Sequence, residues 1–214
     1  MFRSLEELFN LPLQTKLRNV CEKPFHGYVG QYLQVPLYES MGIDDANVIE
    51  KVEELTKILW PEGNASFRVM KYNGPQTTEA KLGLNARTDK NIVTILYQNE
   101  VDGLEVKTKT GEWINVKPSP DSFIAMMGDS LYAWLNGRLY SPYHRVMMAG
   151  DKARYSTGLF SIPKAGYVIK APEEMVDEEH PLLFKPFDHI EFMGFYYREA
   201  GQRAESALKT YCGV

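Results

Sequence analysis

Three short stretches of this chain carry side chains that could do chemistry. They are Arg87-Thr88-Asp89 in "GLNARTDKNIVTIL", His144 in "SPYHRV", and Arg154-Tyr155-Ser156 in "ARYSTGLF". A carboxylate and an imidazole are ligands for a divalent metal. An arginine and a serine two residues apart on a strand share one face, where they form a fork for a carboxylate: the guanidinium gives a bidentate pair and the hydroxyl a further donor. Arg87 and Asp89, read as strand residues, also share a face, so Asp89 is either half of a metal site or half of an ion pair. Taken singly, each residue has a plainer reading: a lone histidine is a hydrogen-bonded core or surface residue, and Arg154 beside Ser156 is ordinary surface.

Strands have to position these groups. From Phe67 onward the apolar pattern has the period of strands, in "SFRVMKY", "NIVTILYQN", "LEVKTK", "EWINV", "SFIAMMG", "LYAWLNG", "RLYSPYHRVMM" and "RYSTGLFSIP". Thr110-Gly111 and Asn136-Gly137 separate pairs of strands, the second being a strong hairpin dipeptide. Short strands at this spacing predict an antiparallel barrel or double-sheet jelly roll, whose mouth is the natural ligand site. His144 falls within the strand-rich stretch, whereas His26, His180 and His189 fall in loop or helical segments.

Helices flank the strands. Ser4 and Glu7 form a capping box ahead of the stripe Leu5, Leu8 and Phe9, which Pro12 ends. Residues 24–43 read as a loop. "DDANVIEKVEELTKILW" then places Val48, Val52, Leu55 and Leu59 on one helical face, ended by Pro61 and Gly63. The tail, "DHIEFMGFYYREA" and "QRAESALKTY", reads as helix; Phe192, Phe195, Tyr196 and Tyr197 are pocket or, preferably, core. The acidic run "APEEMVDEEHP" reads as a solvated loop.

The bulk numbers exclude several classes. With 214 residues the chain suits one well-buried core. A formal charge of -4 gives no electrostatic reason to expect a nucleic-acid partner. Cys21 and Cys212 lack C-x-x-C spacing, so neither a zinc motif nor a disulfide framework is expected. No apolar run has the length of a signal peptide or a membrane span, and the chain reads as cytoplasmic.

An x-D carboxylate, a distant histidine and an R-x-S ten residues later, here "ARTDKN", "NGRLYSPYHRVM" and "ARYSTGLF", resemble the H-x-D, His and R-x-S signature of the plant 2-oxoglutarate- and Fe(II)-dependent dioxygenases. The words "LWPEGN", "RVMKYNGP", "QNEVDGLEV", "GEWINV" and "LFSIPKAGYVIKAPEE" resemble the AOP, or glucosinolate side-chain oxygenase-like, branch. The resemblance implies a double-stranded β-helix with flanking helices and an oxidation of a small plant metabolite, such as hydroxylation or desaturation, coupled to decarboxylation of 2-oxoglutarate. It implies a division into 1–64 (remnant helical region), 65–165 (Fe(II)/2-oxoglutarate jelly roll) and 166–214 (C-terminal loop and helices). Residue by residue, it implies Asp89 and His144 as ligands of Fe(II), Arg154 and Ser156 as the pair holding the distal carboxylate of 2-oxoglutarate, and Tyr72 as a further co-substrate contact.

The chain departs from that pattern in three places. Arg87 stands where the first histidine ligand belongs; arginine offers no lone pair. Two unit charges at 4 Å repel by about 4 kcal/mol at an effective dielectric near 20, and a dication would be repelled more strongly. Met70 replaces the asparagine common two residues before the tyrosine. Relatives also carry a strand and helix before the position of Met1, and a long helix where Asn64 is here followed at once by "ASFRVM". Their lack should uncover an apolar sheet face and favour self-association. Two readings follow: an impaired dioxygenase, or a catalytically inactive paralogue keeping the scaffold. A cupin isomerase would need other histidines.

Overall fold

The computed structural model describes residues 2–22, 26–44, 50, 51, 54, 69–163 and 166–214. Helices α1 (Phe2–Phe9) and α2 (Leu13–Lys16) precede strands β1 (Gly27–Val29), β2 (Tyr38–Gly42), β3 (Val69–Tyr72), β4 (Thr77–Arg87), β5 (Val93–Gln98), β6 (Leu104–Lys107), β7 (Trp113–Asn115) and β8 (Ile124–Met127). Helix α3 (Asp129–Trp134) leads to β9 (His144–Gly150), β10 (Arg154–Ser161), β11 (Val168–Ile169) and β12 (Phe187–Asp188). The chain closes with α4 (His189–Tyr196), α5 (Glu199–Arg203) and α6 (Ala207–Cys212). These elements group into two units: Met1–Ala86 with Leu96–Phe123 and His144–Leu159, and Arg87–Ile95 with Ile124–Tyr143 and Phe160–Val214.

The first unit is built on two sheets, one running β1-β2-β3-β10, antiparallel throughout, and the other β4-β9-β6-β7, in which β9, β6 and β7 pair antiparallel. Register decides which side chains meet. Tyr38, Tyr72 and Arg154 lie in one cross-strand row, and Ser40, Met70 and Ser156 in the row two residues along, so all six share a face. The opposite face presents Met41, Val69 and Tyr155, against which α1 packs Leu5, Leu8 and Phe9. Each of those three buried side chains contributes roughly 1.5–3 kcal/mol. The inner face meets the second sheet closely: a Cβ on Gly83 of β4 would stand 3.1–3.2 Å from Met148, Tyr72 and Val146. The Thr110-Gly111 hairpin forms as expected, with Gly111 at φ 94° and β6 paired antiparallel to β7.

In the second unit, Ala133, Ile169, Phe184, Phe187, Phe192, Ala207, Leu208 and Cys212 make a core on which Phe195 and Tyr196 pack. Three of the four tail aromatics are therefore core, while Tyr197 is half-buried at the end of α4. Asp188 caps α4, accepting from the backbone N–H of Ile190 and Glu191.

Several local expectations are corrected. "LYAWLNG" is not a strand: its first four residues finish α3, whose buried residues Asp129, Ser130 and Ala133 follow helical spacing. Asn136 (φ 49°) and Gly137 (φ 80°) are the left-handed stop of that helix rather than a hairpin turn. Their N–H groups donate to Ala133 and Tyr132 carbonyls in the Schellman pattern. The strand expected from Arg138 begins only at His144, because Pro142 has no N–H to give a ladder. Residues 24–43 hold β1 and β2 rather than only loop, and Thr77–Arg87, not singled out in sequence, is the longest strand. Asp89 lies beyond the end of that strand, so it and Arg87 are not strand residues on one face. Helix α1 already includes Phe2, which puts Ser4 inside it rather than at its N-cap; Ser4's side chain, like most of the helix expected over 44–60, is outside the described residues.

Candidate functional site

In the first unit the decisive group is Arg154, 1% exposed at the start of β10. Its Nε donates to Gln98 Oε1 at 3.2 Å, Nη2 donates to the same oxygen, and Nη1 donates to Ser156 Oγ at 3.4 Å. The guanidinium carbon sits 5.1 Å from the centre of the Tyr72 ring, the residue directly opposite in the register. A Cβ on Gly103 would come within 3.1 Å of both Arg154 Cδ and Met148 Sδ, so only glycine leaves the arginine stem this path. Burial pushes the Arg154 pKa down and the Tyr72 hydroxyl partly offsets it, but a guanidinium stays charged.

Among the described residues no carboxylate pairs with Arg154. A buried cation held only by an amide, a hydroxyl and a ring is poorly compensated, and an incoming carboxylate would complete it. Among the described residues of this unit, the buried Gln98 Nε2 and Ser40 Oγ also lack partners, the latter in the row of Ser156. These residues fit the carboxylate of 2-oxoglutarate. His144 opens β9, is 3% exposed and alternates with buried Val146 and Met148. Arg154, Ser156, Tyr72 and His144 are the candidates that the sequence names; Gln98, which the structure adds as the hydrogen-bond partner of Arg154, carries no motif signal.

In the second unit Asp89 sits in the turn after β4, where its Oδ2 accepts from Thr94 Oγ1 at 2.5 Å and its carbonyl accepts from Asp129 N–H at 2.7 Å. The Asp129 carboxylate ties down the same turn, accepting from Lys90 Nζ (2.8 Å) and Thr88 Oγ1 (2.9 Å) through one oxygen and from Ser141 Oγ (2.7 Å) through the other. Ser130 Oγ donates to the Lys90 carbonyl at 2.7 Å. A Cβ on Gly128 would fall 2.1 Å from Asn91 O, so glycine is required where α3 meets the turn. Gly128-Asp129-Ser130 thus positions Asp89. Its sequence signal is an acidic and a hydroxyl residue at a helix start.

Arg87 is the last residue of β4 and half-buried. Since a guanidinium has no lone pair, Arg87 offers no metal donor, and of the three signature positions only those of Asp89 and His144 carry side chains of a ligating type. That set does not fit a site requiring three protein ligands.

Residues 64–163 match the 2OG-Fe(II) oxygenase superfamily. The chain is 49% identical to the probable 2-oxoglutarate-dependent dioxygenase AOP1.2 of Arabidopsis thaliana over 260 aligned residues, covering 99% of this chain and 80% of the relative. With 214 residues, the chain leaves at least 46 of those aligned positions without a counterpart. Its structure is similar to that of a rice dioxygenase for auxin oxidation, with TM-score 0.81 and 28% identity over 100% of this chain and 84% of that one. It is also similar to the Arabidopsis dioxygenase for auxin oxidation 1 in complex with 2-oxoglutarate, with TM-score 0.73 and 26% identity over 84% of this chain and 83% of that one. The shared fold is the jelly roll with flanking helices.

Proposed function

Because this chain belongs to the 2OG-Fe(II) oxygenase superfamily, we propose that it keeps the family's 2-oxoglutarate pocket but has lost a firm hold on iron, so that its dioxygenase activity is impaired. Arg154 and Ser156 bind the distal carboxylate of 2-oxoglutarate, and Tyr72 flanks it. Asp89 and His144 are the remaining metal ligands, with Asp89 set by Thr94 and Asp129. Fe(II), when bound, supplies the oxygen chemistry of the family; no step through it is derived for a site with two donors. The observation that carries the reading is Arg154, a buried guanidinium without a carboxylate partner among the described residues, in a chain whose first ligand position is Arg87.

The substrate class in this reading is a small plant metabolite of specialised metabolism, and the compartment the cytoplasm. Among the described residues no helix is long and apolar enough to cross a membrane. Neither nucleic acid nor membrane is a partner in this reading. The sequence division at 64/65 and 165/166 is kept as a proposal, with the shortening at 64/65 uncovering an apolar sheet face through which copies self-associate. Exposed Leu159 (63%) on β10 supports that, and sedimentation velocity would reveal it as concentration-dependent dimer formation. The second reading, an inactive paralogue, rests on Arg87 as well. Succinate production from 2-oxoglutarate separates the two: slow turnover with added Fe(II) identifies the impaired enzyme, and none identifies the paralogue.

A further inference from the structure

Away from the groups described so far, Cys21, His26 and Asp44 present a thiol sulfur, an imidazole nitrogen and a carboxylate oxygen that all lie within 4.8 Å of one another. All three precede the stretch that matches the superfamily, residues 64–163. We propose that they form a second metal site, for a borderline divalent cation of the Zn²⁺ class, with one coordination position left open to water or a small anion. Tetrahedral donors at Zn–ligand distances of about 2.0–2.3 Å stand roughly 3.3–3.8 Å apart, so closure of the trio on an ion needs side-chain shifts of about 1 Å. Thiolate with imidazole selects zinc-like ions over magnesium or calcium, which prefer oxygen alone.

The backbone builds the constellation independently of the three side chains. Gly27 pairs with Gly42 at the end of the β1–β2 ladder, which brings His26 and Asp44, just beyond it, to the same end. The Asn19–Cys21 segment is held against that end: Asn19 O accepts from Tyr28 N–H at 2.8 Å, and Asn19 Nδ2 donates to Gly42 O at 3.3 Å. Gly27 adopts φ 78°, and a Cβ there would stand 2.5 Å from Asn19 O and 3.1 Å from Cys21 N, so only glycine permits the approach. His26 Nδ1 contacts Asp44 Oδ1, and each of the three residues is half-buried, reachable from solvent yet partly shielded. A His–Asp ion pair alone would need no thiol within reach.

The test is Co²⁺ titration of the full chain, read by the thiolate-to-cobalt charge-transfer absorption that carboxylate and imidazole ligands do not give. One equivalent of Co²⁺ should produce the band, Zn²⁺ should displace it, Cys212→Ser should keep it and Cys21→Ser should abolish it. His26→Gln and Asp44→Asn should weaken Co²⁺ binding at least ~10-fold. Zn²⁺ should slow alkylation of Cys21 by iodoacetamide at least ~10-fold in the unmodified chain, a readout that needs no folded variant. Absence of the band in the folded chain, its survival in Cys21→Ser, or alkylation indifferent to saturating Zn²⁺ would overturn the site and leave a plain ion pair beside a thiol.

Discussion

Arg154 is held in the interior by Gln98, Ser156 and the Tyr72 ring, none of which carries a compensating charge under neutral conditions. Its place in the fold makes sense when an anion arrives. Arg154→Lys keeps the charge but loses the planar fork, and should lower 2-oxoglutarate affinity by at least ~10-fold, since charge-assisted hydrogen bonds contribute about 1.5–3 kcal/mol. Isothermal titration calorimetry measures this, and unchanged affinity would remove Arg154 from the pocket. Met70 occupies the row between Ser40 and Ser156, where its thioether receives only a long contact of 3.8 Å from the Tyr72 hydroxyl. Ser40 Oγ has no partner among the described residues. Met70→Asn would offer that hydroxyl both a donor and an acceptor, and should tighten 2-oxoglutarate about two- to tenfold, the equivalent of one net hydrogen bond. The same titration checks it, a weaker fit being the contrary result.

Helix α3 holds the turn of Asp89 at its start and stops on two left-handed residues. Asn136 does more than stop it: Nδ2 donates to the carbonyls of Met175, His180 and Pro181, and Oδ1 accepts from Leu183 N–H. Gly137→Ala should cost about 1–2 kcal/mol from the left-handed backbone alone, with further loss because its Cβ would lie 2.7 Å from Leu183 Cδ1. Asn136→Ala should cost more, and urea unfolding would rank the two. This helix also marks where sequence reading failed. Tyr132 and Trp134 are strand-favouring residues and Asn-Gly is the common hairpin pair, yet backbone bonds from Gly128, Asp129 and Ser130 to the 89–92 turn override both. Long-range hydrogen bonds of this kind leave no periodic trace. The R-x-S face, by contrast, was legible because it depends only on the two-residue period of a strand, and β10 keeps that period. β4 escaped notice because its residues are mostly exposed on both faces, without the alternation that identifies a half-buried strand.

The whole molecule should respond to pH through its buried histidine. His189 is 3% exposed, with Nδ1 2.9 Å from Ser130 Oγ, and burial pushes its pKa below 6.5, Asp188 partly offsetting. The folded state thus resists a proton that the unfolded chain takes up near pH 6.5, so the stability contribution is complete above that value and is lost as pH falls through the depressed folded pKa. Melting temperature should drop between pH 7.5 and 5.5, and drop less in His189→Gln; equal drops would assign the effect to other groups. Saturating 2-oxoglutarate should raise the melting temperature by mass action, worth about 2.7 kcal/mol at a hundredfold excess over Kd. In the reading proposed above, Arg87 at the first ligand position is what weakens the hold on Fe(II). The most direct test is the affinity for Fe(II), titrated without oxygen and with 2-oxoglutarate present, of two chains that both carry Cys21→Ser: one with Arg87 and one with Arg87→His. The account predicts affinity at least ~10-fold higher with histidine, as expected for regaining a ligand. Equal affinity in the two chains, with succinate formed at equal rates, would contradict it.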